Sequence, residues 1–531
     1  MNIAHKITLI ALLWLILVNP GSITNPDTLR RSYMAHAWWT QTEEAVPQDK
    51  LEDRLVIHVN NRNYVPYDLG QSMLMLPGDW LGTKLSQSLN FTDENESQQF
   101  REAIISFVIF LPINLLAILT SFKLLRYLGY CEKLAGLSSI VLLLGTTVLF
   151  YASFHQQNNQ ILFFVLASYQ TALAYVIQRK KRLAIASGMA LGVAFLIRIT
   201  SILYVVSVLT FLIGCLSSIK VKLLANSLKS ILLWMTGFIP FVFLERVLTY
   251  YRYGSWMATS TSLHLQIFSK ASKLADPNTI VRGENSSFFF FKLLSKIKLE
   301  GLSAPLFSPE KSIFIYDPLL LPCLILGLLC WRFLSPYIRW YIIAGIIGFL
   351  LHLYLYSWTA EWLVHRDWGA RYHLTSIHLL LVPLLPLIVR GAIGQSNNRT
   401  NTLKIIFSSI SRIIIVLAIL FQLASISLSP AIETTQQRLN IGSQFRIIQR
   451  LNNISYMFNY EERPHIQMSK VQEQLLWITP EQRMTWNILP FKYQIILGDN
   501  SSFKQLLPLL WLIWSLIFIL AVIGTIWIII E

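Results

Sequence analysis

Apolar runs long enough to cross a bilayer, about 17–25 residues each, recur along the whole chain and constrain it more than any other feature. We read twelve, at roughly 4–20, 103–122, 134–153, 160–178, 183–199, 201–219, 229–248, 313–334, 338–358, 374–393, 404–428 and 507–530. In hydrocarbon the backbone must pair with itself, so such runs fold as helices. The expected fold class is therefore an all-α integral membrane protein of about 12 transmembrane helices. Composition agrees: of 531 residues, 54% are hydrophobic and 14% charged, where soluble domains carry about a quarter charged. A soluble enzyme and a disordered chain are both excluded.

The net charge of +16 would suit a nucleic-acid binder, but the positions of the cations point elsewhere. With the N-terminus inside, alternate loops hold Lys123, Arg126 and Lys133, then Arg179 to Arg182, then Lys220, Lys222 and Lys229, then Arg332 and Arg339, then Arg390, Arg399 and Lys404. The short loops on the other side hold only Arg198, Arg366 and Arg371. This is the positive-inside asymmetry of a multi-pass protein, and it requires no nucleic acid. The first run, with Lys6 before it, also fits a signal peptide. The following NPGSITNP has no good small-x-small cleavage site, which favours a retained anchor. Four cysteines in this length form no disulfide framework, and neither a metal-type CxxC pair nor a phosphate-binding glycine pattern is present.

Three long polar segments, 21–102, 249–312 and 429–506, all fall on the outer face by this count. The expected organisation is a catalytic membrane module over 1–428 with outer loops 21–102 and 249–312, an outer segment 429–506, and a last span in 507–531. Carriers place ionisable groups near the midplane on broken helices. Here they gather outside the spans on one face, which suits a reaction between a lipid-borne reactant and something beyond the membrane. In the first segment, Pro26-Asp27 opens a helix with Leu29, Tyr33, Met34 and Ala37 on its apolar side. The stretch YDLGQSMLMLPGDWLG, with Met73, Leu74, Leu76, Trp80 and Leu81, predicts an amphipathic juxtamembrane helix in the interface plane, bent at Pro77-Gly78.

Several residues here have two readings. Asp27 is either a helix N-cap or a carboxylate that takes a proton from an acceptor hydroxyl or holds a metal ion; the two are compatible. Arg30 and Arg31 are solvated interface charges or a guanidinium pair for phosphate. Arg198, between two apolar runs, either snorkels or pairs with a lipid phosphate. The loop TAEWLVHRDWGARYHLTS crowds Glu361, His365, Arg366, Asp367, Arg371, Tyr372 and His373 together. It is an interfacial belt or a reactive cluster, and its histidines lack the spacing of a helical zinc site.

Six segments, in order over residues 25–390, resemble the polytopic GT-C glycosyltransferases, specifically the bacterial branch related to protein O-mannosyltransferases and the aminoarabinose transferase of lipid A. They are Asp27 after the first span, YDLGQSMLMLPGDWLG, GMALGVAFLIRITSIL, YYRYGSWMATS, LFSPEKSIFIYDPLLL and DWGARYHL. The resemblance implies a GT-C-like fold and transfer of a sugar from a polyprenyl-phosphate donor to a glycan, lipid or protein acceptor at the outer leaflet of a bacterial plasma membrane. It implies Asp27 as base or metal-holding carboxylate, and Arg198 and Arg371 as donors to the leaving phosphate, beside the candidates Arg30 and Arg31 read above from their residue type. His155 matches a histidine of part of the branch, or is a plain loop residue. Tyr67 and Tyr372 are further candidates within the matched motifs.

Two departures bear on the chemistry. The loop after the third span lacks the second acidic residue of many relatives, which puts a divalent cation in doubt. Tyr67-Asp68 stand where many relatives carry a lysine. Either Arg62 or Arg30 substitutes for that lysine, or the donor is bound differently here, and Asp68 is then a second acidic candidate. Two other functions share much of this pattern. An O-antigen ligase or polymerase-like enzyme would use its late outer loop, here 429–506. A transporter of lipid-linked glycans would place ionisable groups deep in spans, where Glu245 and Arg246 are the nearest candidates.

Overall fold

A computed structural model describes residues 3–42, 44, 57–59, 62–89, 91, 94–218, 223–259, 262–263, 299–357, 367–394, 402–438, 443–458, 485–496 and 502–530. These residues are almost entirely helical, apart from one hairpin of β1 (Ile57–Val59) and β2 (Arg62–Tyr64), paired antiparallel with Ile57 opposite Tyr64. Among them, eight helices are long and apolar enough to cross a membrane: Glu96–Tyr127, Gln157–Gln178, Ile199–Ser217, Ser227–Tyr253, Pro336–Tyr356, Arg371–Ile393, Ile405–Ser427 and Lys504–Ile529. A ninth counts if Glu132–Leu144 and Val148–Phe154, bent by 55° at their junction, are one broken span. The protein is thus a multi-pass helical membrane protein.

Each of the twelve expected runs is largely helical, and three of them hold helices at or below the short end of the spanning range. These are Ile3–Val18 with 16 residues, Lys181–Ile197 with 17 and Leu320–Leu329 with 10. At 1.5 Å per residue, 16 residues reach about 24 Å against a hydrocarbon thickness of about 30 Å. An apolar run in sequence includes the turns at its ends; a helix does not.

The chain divides into two compact units. One comprises Ser22–Phe110 and His155–Ile297. Its described helices are, in the numbering used below, α2 (Pro26–Thr40), α3 (Gly70–Leu89), α4 (Glu94–Ile105), α8 (Gln157–Gln178), α9 (Lys181–Ile197), α10 (Leu203–Ser217) and α11 (Leu223–Tyr253). The other comprises Met1–Gly21, Leu111–Phe154 and Lys298–Glu531 and begins with α1 (Ile3–Val18), α5 (Leu111–Tyr127), α6 (Glu132–Leu144) and α7 (Val148–Phe154).

In the first unit, α9 lies between α8 and α11. Small residues and hydroxyls make the contact, as between helices in lipid. Ser168 Oγ donates to the Ser187 carbonyl at 2.9 Å, and Trp234 Nε1 donates to Ser187 Oγ at 3.0 Å. Gly188 allows the closest approach, since a Cβ there would sit 2.0 Å from the Trp234 carbonyl oxygen. Helix α3 is amphipathic, with Met73, Trp80, Leu85 and Leu89 exposed and the small and polar Gln71, Ser72, Gly78, Asp79, Gly82 and Ser86 buried. An outward apolar side suits a helix lying against lipid. Its inward side is anchored by Asp79, whose Oδ2 accepts from Trp39 Nε1 at 2.7 Å and lies 2.9 Å from His36 Nδ1. The helix continues through Pro77 as a single element, so the expected bend does not divide it.

In the second unit, helix Arg371–Ile393 is buried along most of its length and packs on α6, Leu320–Leu329, Pro336–Tyr356 and Thr402–Ser427. The break between α6 and α7 frees backbone groups that lipid cannot satisfy. Asp317 meets them: Thr147 N donates to Oδ1 and Thr147 Oγ1 to Oδ2, both at 2.8 Å. Helix Arg446–Phe458 repeats the pattern of α3, with Arg446, Gln449, Arg450 and Asn453 buried and Ile448, Leu451 and Phe458 exposed.

Gly188→Ala should wedge α9 away from α11. Such overpacking costs about 1–3 kcal/mol, so the thermal midpoint of the detergent-solubilised variant should fall, and an unchanged midpoint would argue against this crossing.

Candidate active site

The candidate site begins at the N-terminus of α2. Pro26 occupies the first turn, where its missing N–H costs nothing. The cap is Asn25, whose Oδ1 accepts from Thr28 N at 3.0 Å. This corrects the capping alternative for Asp27: the aspartate sits inside the first turn, so its carboxylate is left for side-chain partners, in the favourable field of the helix dipole.

Those partners lie in the loop before α3. Tyr67 donates its hydroxyl to Asp27 Oδ1 at 2.9 Å and accepts from Arg30 Nη1 at 3.0 Å. Arg30 Nη1 is 3.8 Å from the same carboxylate oxygen. The Arg31 guanidinium stacks on the Tyr67 ring, 4.3 Å from its centroid, a cation–π contact. Tyr67 and Arg31 are buried, while the Asp27 side chain keeps 26% of its exposure. Burial, reinforced by the Asp27 carboxylate and opposed by Arg30 and Arg31, pushes the Tyr67 phenol up to about 12. Tyr67 therefore remains a hydrogen-bond donor at neutral pH. The loop is fixed by Arg252 of α11, which donates to the Tyr67 carbonyl at 3.2 Å, the Val65 carbonyl at 2.9 Å and Glu44 Oε2 at 2.6 Å.

A second group adjoins α2 and α3 in the same unit. His155 precedes α8 with φ of 58°, a left-handed backbone uncommon outside glycine. Its carbonyl accepts from Thr28 Oγ1 at 3.0 Å and Gln71 Nε2 at 3.2 Å, and its Nε2 lies 2.6 Å from Ser106 Oγ. It is thus the backbone of His155, more than its ring, that meets the helix bearing Asp27. Gln157 Oε1 accepts from Arg198 Nε at 3.2 Å and Nη2 at 3.1 Å, while its Nε2 donates to the Ile197 carbonyl at 2.7 Å. Asp68 Oδ2 accepts from Ile199 N at 3.4 Å. Gly70 lets this happen: a Cβ there would stand 2.4 Å from Ile197 N and from the Leu196 carbonyl carbon. The structure therefore joins Asp27, Arg30, Arg31 and Tyr67 directly, and ties His155, Asp68 and Arg198 to the same framework.

The donor set does not fit a divalent cation. Asp27 Oδ1 accepts from the Tyr67 phenol and lies 3.8 Å from Arg30 Nη1, Asp68 is bonded to a backbone N–H, and no three His, Cys, Asp or Glu side chains among the described residues are grouped to hold a metal. No step below runs through one.

Arg371 and Tyr372 belong to the other unit. Arg371 Nη1 donates to Asp367 Oδ2 at 3.0 Å and Nη2 to Tyr372 OH at 3.2 Å. Lys311 Nζ donates to the Asp367 carbonyl at 2.8 Å, and Arg446 donates to the same oxygen. Burial, and then the neighbouring Arg446, holds the Lys311 ammonium well below its usual range. Lys311 lies within the matched LFSPEK segment, and its residue type was the available signal. Arg446 had none, because only the tertiary fold brings it to Asp367. Glu361, His365 and Arg366, and the side chain of Arg62, lie outside the described residues.

No protein-family profile matches the chain, and no curated protein does. Among solved structures, it is similar to ArnT from Cupriavidus metallidurans in the apo state, with a TM-score of 0.39 and 13% identity over 82% of this chain and 72% of that one. The same protein bound to undecaprenyl phosphate gives 0.37 and 12% over 89% and 84%. A likeness of that degree decides nothing about site or activity.

An unfolded tyrosine ionises near pH 10, and Tyr67 in the folded protein at about 12. Between those values the unfolded chain releases a proton that the folded one keeps, so stability falls as pH rises. The loss is on the order of 2–3 kcal/mol. Thermal melts across that window should therefore fall less steeply for Tyr67→Phe than for the parent; equal slopes would contradict the assignment.

Proposed function

We propose that the protein is a membrane glycosyltransferase that moves a sugar from a polyprenyl-phosphate donor to an acceptor on the outer face of the membrane. The observation that carries this reading is the Asp27 carboxylate held at a helix N-terminus by Tyr67, with Arg30 and Arg31 against the same phenol. The ordered motifs shared with GT-C enzymes support it independently.

The chemistry follows from these groups. An acceptor hydroxyl attacks the anomeric carbon, and Asp27 takes its proton. The new carbon–oxygen bond forms as the bond to the lipid phosphate breaks, and the phosphate leaves with the electron pair, inverting the anomeric centre. That phosphate gains a negative charge as it departs. Fixed guanidinium groups therefore stabilise the transition state more than the ground state, which is the role of Arg30 and Arg31, with Arg198 beyond them. Tyr67 keeps the base oriented and its donor hydrogen in place. The outward apolar side of α3 would rest against the donor's lipid. This mechanism uses residues of one unit and gives Arg371 and Tyr372 no step.

Asp27→Asn removes the proton acceptor without changing shape. General-base loss typically costs about 10²–10⁴-fold in rate. Mass spectrometry of lipids and glycans from cells lacking the gene should reveal a missing glycan, restored by the parent gene and not by Asp27→Asn expressed at the same level. Restoration by the variant would overturn the assignment of the base.

A further inference from the structure

Residues His155 to Gln160 form an unbroken run of six polar side chains, HQQNNQ, each between 1% and 3% exposed. Burying a carboxamide without a partner is costly, so the hydrogen bonds of such a run have to be accounted for. Two members are committed. His155 meets Ser106, and Gln157 bridges Arg198 to the Ile197 carbonyl. Gln156 and Gln160 are not: the nitrogen and oxygen of both amides have no hydrogen-bond partner among the described residues. Gln156 stands at the capping position of α8, yet its side chain caps nothing. Gln160 lies in the first turn of α8, which Gln156 directly precedes. Gln71 adds a third carboxamide: its nitrogen is bound to the His155 carbonyl, while its buried oxygen has no partner among the described residues.

We propose that Gln71, Gln156 and Gln160 form the sugar-binding site of the donor, and that this site takes a neutral, hydroxyl-rich sugar rather than an amino sugar or a uronic acid. The proposal rests on the glycosyltransferase reading above. Carboxamides offer both donors and acceptors, which matches hydroxyl groups that do the same. The run contains no Asp, Glu, Lys or Arg, so these amides themselves offer no counter-charge to an amino sugar or a uronic acid. The location is suitable. The His155 carbonyl is bonded to Thr28, next to Asp27, and Gln157 holds Arg198. The amides thus lie on the stretch that links the proposed base to a proposed phosphate-binding cation.

The test is equilibrium binding to the full-length protein in nanodiscs. The probes are polyprenyl phosphate itself, a panel of polyprenyl-phosphate neutral hexoses and pentoses, and donors carrying an amino sugar or a uronic acid. At least one neutral donor should bind about tenfold or more tightly than bare polyprenyl phosphate and than either charged donor. The double variant Gln156→Met, Gln160→Met should lose that preference and keep its affinity for bare polyprenyl phosphate. Its thermal midpoint without ligand should hold or rise, because apolar side chains replace unpartnered amides; a purely structural pair would lower it. A preference for a charged donor, or a neutral preference that survives in the variant, overturns this proposal and leaves the glycosyltransferase reading standing. So does a lowered midpoint with unchanged donor discrimination. Failure of every polyprenyl lipid to bind overturns both.

Discussion

The structure is organised by a constraint of its solvent: hydrocarbon cannot pair with a polar group, so each polar atom within the helices has to find its partner in the protein. The consequences appear wherever the chain departs from a plain apolar span. The break between α6 and α7 is closed by the Asp317 carboxylate. Asp79 binds the buried side of α3 to Trp39 and His36. Arg450, wholly buried, is held by Glu433 and by the carbonyls of Ser425 and Leu428. Helices α3 and Arg446–Phe458 both turn polar faces inward and apolar faces outward, the reverse of a soluble protein.

The same constraint gives the Asp27 group its meaning. A carboxylate, a phenol and two guanidinium groups are gathered in one place, partly buried, and each restricts the others. The phenol stays protonated and orients the carboxylate. The proposed displacement of a lipid phosphate by an alcohol would call on the carboxylate to take the hydroxyl proton and on the arginines to meet the departing anion.

Much of the fold was legible in the residues alone, because span-length apolar runs and helix starts are local signals. Each of the twelve runs is largely helical, and Pro26-Asp27 does open α2. The count of spans is less legible, since runs near 4–20, 183–199 and 313–334 include turns and hold shorter helices than the runs themselves. The capping role fell to Asn25 instead of Asp27, a difference of two residues that spacing does not resolve. Asp317, in an apolar run, and Asp79, in an amphipathic one, were not singled out, because their partners are far away in sequence. In the sequence Tyr67 is a departure from a lysine pattern; its link between Asp27 and Arg30 emerges only when the loop before α3 folds onto α2.

The central claim is that the Asp27 group faces the phosphate of a prenyl lipid. Electron cryo-microscopy of the protein saturated with polyprenyl phosphate measures this directly. The account predicts phosphate density within hydrogen-bond reach, about 3 Å, of Arg30, Arg31 or Arg198, with the Asp27 carboxylate beside it. Density for the phosphate at a site that touches none of these three arginines would contradict it.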